Sequence, residues 1–195
     1  MIKSKEDLKR YLAMDKYALG ITKHRPGFFD EADDIWRFEI ILRKHEYYRN
    51  CTKNTLMRYF YAYLHYKMGY KLGFNIPVNL FEGGLHILHA GTITVNNKAR
   101  IGQWCTIAPN VAIGQSSAGD AVPVIDNHVY IGIGAKVIGK IVIGDNTMIG
   151  ANAVVCKSFP QGNVTLAGNP AKIISKKGNV FHIDEDLFEK EFQLQ

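Results

Sequence analysis

The chain has 195 residues, 47% of them hydrophobic, and carries 24 Lys and Arg against 18 Asp and Glu, a net charge of +6. That is room for one globular domain, or one domain with a small appendage. No apolar run approaches the length of a membrane span. The start, MIKSKEDLKRYLAMDKY, lacks the apolar stretch of a signal peptide, and Cys51, Cys105 and Cys156 are scattered without a CxxC pair, which argues against a disulfide framework or a zinc site. The expected compartment is the cytoplasm, where thiols stay reduced.

The charge is uneven. Residues 1–75 hold 15 basic and 9 acidic side chains, whereas residues 76–195 hold 9 of each. Residues 1–72 read as a helical N-terminal region. Ser4 with Asp7 resembles a capping box, and Leu8, Tyr11, Leu12 and Leu19 mark an apolar stripe behind it. Pro26-Gly27 breaks that pattern. A second helix is predicted from about Asp33 to Tyr48, with Ile35, Trp36, Ile40 and Leu42 available for burial. A third, from Thr55 to Tyr70, interleaves Tyr59, Phe60, Tyr61, Tyr63, Tyr66 and Tyr70 with Arg58, Lys67 and Lys71. Such a helix suits a membrane surface, where rings and cations meet headgroups. The aromatics occur around the whole helix, which favours packing against the next domain instead.

Residues 73–175 change character to Gly, Val, Ile and Asn. Val95, Ile101, Ile107 and Ile113 stand six apart, and Ile125, Ile131, Val137, Ile143, Ile149 and Val155 continue in the same phase. Neither an α-helix nor an ordinary strand has that period. It predicts a mainly β fold, a parallel β-helix in which each hexapeptide builds one face of a coil. Glycine follows the aliphatic residue at Gly102, Gly114, Gly132, Gly144 and Gly150, where it is expected to permit a tight corner. The polar stretch from Gln115 to Pro123 interrupts the phase and is expected to leave the coil as a loop. Residues 176–195 read as a tail whose acidic, amphipathic end, from Asp184, is expected to cap the last coil.

Familiar catalytic motifs are missing: no Walker sequence, no GxGxxG after a strand, no HExxH and no GxSxG. The central candidates are Glu82, His86, His89 and His128. His86 and His89 stand three apart, so on a strand they face opposite sides and do not form a metal pair. Extending the repeat phase back from Val95 points His89 inward.

Leu88-His89-Ala90-Gly91-Thr92-Ile93-Thr94-Val95, Ile131-Gly132, Ile149-Gly150-Ala151-Asn152-Ala153-Val154-Val155 and Ala167-Gly168-Asn169-Pro170-Ala171-Lys172 together resemble the left-handed β-helix acyltransferases of the hexapeptide-repeat superfamily. The nearest branch is the serine acetyltransferase-like enzymes, including those that O-acetylate bacterial surface polysaccharides. The resemblance implies transfer from acetyl-CoA, as co-substrate, to a hydroxyl, with no metal and no covalent intermediate. His89 would be the general base and backbone N–H groups would stabilise the oxyanion; Glu82 is the candidate to orient His89 in place of the family's partner acid. Gly132, Ile133, Ala151, Cys156 and Lys172 match positions lining the family's CoA groove, with Lys172 meeting a CoA phosphate. A homotrimer with sites at its interfaces is implied, without nucleic acid, and with a basic N-terminal region available for peripheral membrane contact. True serine acetyltransferases carry Asp where this chain has Leu88, and their partner acid aligns with Phe74. These departures point to a sugar hydroxyl of a polysaccharide or its precursor as acceptor. The alternatives are serine or another small metabolite, and a catalytically silent binding scaffold.

Overall fold

The computed structural model describes residues 1–116, 121–181 and 183–193. Three helices, α1 (Lys5–Ala18), α2 (Glu31–Asn50) and α3 (Thr55–Leu72), precede the sheets. Among the described residues fourteen short strands follow: β1 (Phe74–Asn75), β2 (His86–Ile87), β3 (Ile93–Val95), β4 (Arg100–Ile101), β5 (Thr106–Ile107), β6 (Ala112–Gly114), β7 (Val124–Ile125), β8 (Tyr130–Ile131), β9 (Lys136–Ile138), β10 (Val142–Ile143), β11 (Met148–Ile149), β12 (Val154–Val155), β13 (Thr165–Gly168) and β14 (Ala171–Ser175). Helix α4 (Glu185–Gln193) closes the described chain.

The strands stack into the three faces of a left-handed prism. One face is β1-β3-β6-β9-β12, a second is β4-β7-β10, and the third is β2-β5-β8-β11-β13, extended by antiparallel β14. On the third face Ile87, Ile107, Ile131, Ile149 and Leu166 lie in register. On the first face Val95, Ile113, Val137 and Val155 do the same. Bridges from Phe81 to Ile101 and from Ile143 to Phe159 extend the second face by one coil at each end. Every one of the hexapeptide aliphatics is buried, forming a single column of core.

Ile113 pairs with Val137, 24 positions on, whereas Val137 pairs with Val155, 18 positions on. The register therefore gains six residues between Gly114 and Val124. Of the stretch expected to form this loop, residues 117–120 lie outside the described residues.

The corner glycines act differently from expectation. Gly102, Gly132, Gly144 and Gly150 do not adopt positive φ; the left-handed positions come two residues later, at Trp104, Gly134, Asn146 and Asn152. What Gly132 and Gly144 supply is space. A β-carbon on Gly132 would stand 2.7 Å from the Ile149 carbonyl oxygen, and one on Gly144 would stand 2.4 Å from that of Pro160. Bare backbone at these points lets successive coils touch.

Helices α1 and α2 cover the open edge of the first coil. Their charged side chains take the hydrogen bonds that a preceding coil would have made. Asp15 Oδ1 accepts from the N–H groups of Gly84 and Leu85, at 2.8 and 2.9 Å. Glu46 Oε1 accepts from Asn79 N–H at 2.7 Å. Arg43, fully buried, donates to the carbonyls of Phe81 and Glu82, both at 2.8 Å, and pairs with Asp15 and Glu46. Beside them, fully buried Glu39 has neither carboxyl oxygen in a hydrogen bond of good geometry. Burial, and then the nearby Asp15 charge, push its pKa well above the ordinary carboxylate range.

Three further expectations are corrected. Of the expected stripe Leu8, Tyr11, Leu12 and Leu19, the first helix buries Tyr11, together with Met14, Asp15 and Ala18, while the three leucines are half-buried. The tyrosines of α3 do not pack on the first coil: only Gly69 and Leu72 of that helix are buried, and Tyr59, Tyr63, Tyr66 and Tyr70 are exposed. Helix α4 caps no last coil. It doubles back to α1, where Phe188 packs with Met14, Ala18 and Trp104, and Arg10 pairs with Glu189. Residues 194 and 195 of the expected tail helix lie outside the described residues.

Candidate active site

Ile87 pairs with Ile107, 20 positions on, while Val95 pairs with Ile113, 18 positions on. Two extra residues therefore lie in the corner between Ile87 and Val95. That corner carries His89. The insertion breaks the repeat phase, so His89 leaves the core and stands exposed, correcting the inward direction read from the phase. His86 remains on its strand, half-buried, with Nδ1 3.4 Å from Thr106 Oγ1.

The group that meets His89 comes from α2. His89 Nδ1 lies 3.2 Å from Glu31 Oε2, and Glu31 Oε1 accepts from the Ala90 N–H at 2.9 Å. Glu31 is the first residue of α2, behind the N-cap Asp30, whose side chain accepts from Ala32 N–H. Helix α2 runs across the top coil and leaves this first turn above the His89 corner. The Ala90 hydrogen bond, then the His89 contact, hold the Glu31 pKa below the usual carboxylate value, so it remains ionised near neutral pH.

Glu82, expected to orient His89, is directed elsewhere. It accepts from the Tyr11 hydroxyl and pairs with the Met1 amino group. Burial raises its pKa, but these two partners outweigh that and hold it low. Phe74, aligned with the family's partner acid, is buried against Phe38 with ring centroids 5.0 Å apart. His128 ties α4 to the coil, with Nε2 2.8 Å from Glu185 Oε1.

Below His89 the same corner continues down the prism. A β-carbon on Gly91 would stand 2.9 Å from Pro109 Cβ. Gly134 N–H donates to Pro109 O at 3.0 Å, and Asn152 N–H donates to Ile133 O at 2.8 Å. Gly132, Ile133 and Ala151 thus share one edge, in line with His89; Gly132 is buried, and Ile133 and Ala151 are exposed. Cys156 is exposed after β12, at the opposite margin of the first face. Lys172 lies at the base of the prism, where it and Lys157, Phe159, Pro170, Ala171 and Ile173 line a hollow of 270 Å³. Two cations, Lys157 and Lys172, therefore border one cavity at the end remote from His89. Among the described residues no group of three or more His, Cys, Asp or Glu side chains could hold a metal ion.

Sequence reasoning missed Glu31. It lies 58 positions before His89, on a separate helix, and no spacing rule connects them.

The bacterial transferase hexapeptide repeat (six repeats) matches residues 123–157. The chain is 40% identical over 95 residues to the serine acetyltransferase of Helicobacter pylori strain 26695, covering 48% of this chain and 55% of that protein. It is 35% identical over 97 residues to that of Synechococcus elongatus, covering 49% of this chain and 39% of that protein. The chain thus spans about half the length of the curated relatives it matches. Its structure resembles the Brucella abortus serine acetyltransferase, with 28% identity and a TM-score of 0.67 over 89% of this chain and 71% of that one. The coenzyme A complex of the same protein superposes with a TM-score of 0.68 at 26% identity, over 90% and 71% of the two chains. These relatives are consistently named serine acetyltransferase. That overturns the expectation of a polysaccharide acceptor and favours its alternative, serine.

Proposed function

Starting from a hexapeptide-repeat transferase chain whose homologues are serine acetyltransferases, we propose that the protein transfers an acetyl group from acetyl-CoA to the serine hydroxyl. One observation carries the reading: His89 stands at the head of the corner edge formed by Gly132, Ile133 and Ala151, with Glu31 fixed on its Nδ1. With Nδ1–H donating to Glu31, the lone pair of Nε2 is free to accept a proton. His89 Nε2 removes the hydroxyl proton as the oxygen attacks the thioester carbonyl, and the imidazolium formed faces an ionised carboxylate. The proton then passes to the departing CoA thiolate. A positioned base of this kind is worth roughly 10²–10⁴-fold in rate.

The edge below His89 suits the extended arm of CoA, being narrow, exposed and lined by small or apolar residues. Lys172 and Lys157 supply positive charge at its far end for phosphate. Leu88 gives the serine ammonium no counter-charge, so that task falls to the acidic first turn of α2, where the exposed Asp30 adjoins Glu31. The coil is closed by packing copies side by side into a homotrimer, which places this edge at a subunit boundary.

The test is release of CoA thiol from acetyl-CoA with serine as acceptor. Turnover dependent on serine, lost by orders of magnitude in His89→Ala with circular dichroism unchanged, supports the reading. Equal, mild losses in His89→Ala and His86→Ala would refute the base assignment. CoA binding without any acyl transfer would make the chain a scaffold.

A further inference from the structure

We infer that the outer face of α3, continued by the Phe28-Phe29 tip, is a docking surface for an anionic lipid membrane. The inference is independent of the acyl-transfer reading. Helix α3 carries two apolar seams. Met57, Tyr61, His65, Met68 and Leu72 follow one face, and contact with α2 is this helix's largest. Leu56, Tyr59, Tyr63, Tyr66 and Tyr70 follow the other, spaced by three and four residues in alternation, so they share one side of the helix. They have no cover: their exposures are 80%, 64%, 58%, 68% and 83%. A contiguous exposed apolar row of this length marks an interaction site.

The tip extends the row. Phe28 is exposed, and Phe29 is wholly so, on a backbone with φ of 68° that a side chain with a β-carbon disfavours. The two parts are linked. The Arg37 guanidinium lies 5.7 Å from the Phe28 ring centroid and pairs with Asp34, which also pairs with Lys71 of α3.

Charge selects the occupant. The segment from Thr55 to Leu72 contains Arg58, Lys67 and Lys71 and no acidic residue. Arg58 lies over the Tyr59 ring and Lys67 over the Tyr63 ring, so the cations flank the aromatic row. Two copies of this face laid together would oppose like charges. An anionic headgroup layer accepts both components: phosphates meet the cations, and tyrosine rings sit at the interface with hydroxyls in water. Among the described residues no helix is long and apolar enough to cross a membrane, so the contact lies in the surface plane.

The experiment is co-sedimentation of the full chain with phosphatidylglycerol-containing vesicles and with neutral phosphatidylcholine vesicles, at low and high salt. Binding to the anionic vesicles at low salt, released by high salt, is expected. Arg58→Gln with Lys67→Gln should weaken it about thirtyfold. Tyr63→Ser with Tyr66→Ser should weaken it at unchanged charge. Unaltered circular dichroism shows that both variants fold. No binding to anionic vesicles at low salt, or binding that neither variant reduces, overturns the inference. A tyrosine variant that lowers the solution mass by light scattering, without any vesicle binding, assigns the face to a second copy and also overturns it.

Discussion

His89 and Glu31 meet across 58 residues of chain: Nδ1 of one lies 3.2 Å from Oε2 of the other, and the second oxygen of the same carboxylate is held by the Ala90 N–H. The helical region thus completes a site whose other parts lie on the β-helix. Glu31→Gln keeps the size and one hydrogen bond but removes the charge facing an imidazolium. We expect kcat to fall about ten- to a hundredfold with little change in KM for acetyl-CoA. Steady-state kinetics check it, and a change confined to KM would contradict the positioning role.

Glu82→Gln should leave kcat within about twofold of wild type, because its partners are Met1 and Tyr11 rather than His89. Its effect belongs to stability. The half-exposed position limits the loss to about 1 kcal/mol in a urea melt. A kcat loss matching that of Glu31→Gln would restore Glu82 to the site.

Arg43 is buried between Asp15 and Glu46 and donates to two carbonyls of the first coil. Arg43→Met strands two buried carboxylates and two carbonyls. A destabilisation of about 3–5 kcal/mol is expected from chemical denaturation. Retention of wild-type stability would show that water replaces the guanidinium without cost.

Burial, with the nearby Asp15 charge, raises the Glu39 pKa well above the ordinary carboxylate value. Its folded pKa is above the unfolded one, so its contribution to stability is complete at pH below the unfolded carboxylate value. It declines as pH rises toward the folded value, because there the unfolded state releases a proton that the folded state retains. The decline is about 1.4 kcal/mol per pH unit. Glu39→Gln abolishes it. Melting curves of wild type and variant taken from acid to neutral pH should diverge as pH rises, with the variant gaining; parallel curves would show that Glu39 titrates normally.

Gly132 and Gly114 occupy equivalent positions in the hexapeptide pattern but differ in surroundings. An added β-carbon at Gly132 would meet the Ile149 carbonyl and the Ala151 amide, at 2.7 and 2.9 Å, whereas at Gly114 the nearest atom is Ile138 Cδ1 at 3.5 Å. Gly132→Ala should therefore destabilise by about 1–3 kcal/mol and Gly114→Ala by much less. Equal thermal shifts would remove the packing explanation.

The β-helix was legible because its signal is one-dimensional. Ile125, Ile131, Val137 and the rest recur at a fixed interval, and a column of inward residues needs no long-range information. The corner of His89 was misread for the same reason: two extra residues cancel the phase, and only the pairing of Ile87 with Ile107 against that of Val95 with Ile113 reveals them. Glu31 and the capping groups Asp15, Arg43 and Glu46 were illegible because they act through tertiary contact. On their helices they read as ordinary surface charges. The bare aromatic face of α3 was misassigned because the helix has two apolar seams, and sequence alone does not tell which one is covered.

A stack of coils is in principle an open polymer, since each rung offers its neighbour the same template. Here the first rung is already occupied by Asp15, Arg43 and Glu46, side chains that present a peptide's donors and acceptors without presenting a new edge. No further rung, from this chain or another, finds an acceptor for its backbone at that end. Growth by end-to-end stacking into fibres is closed at that end.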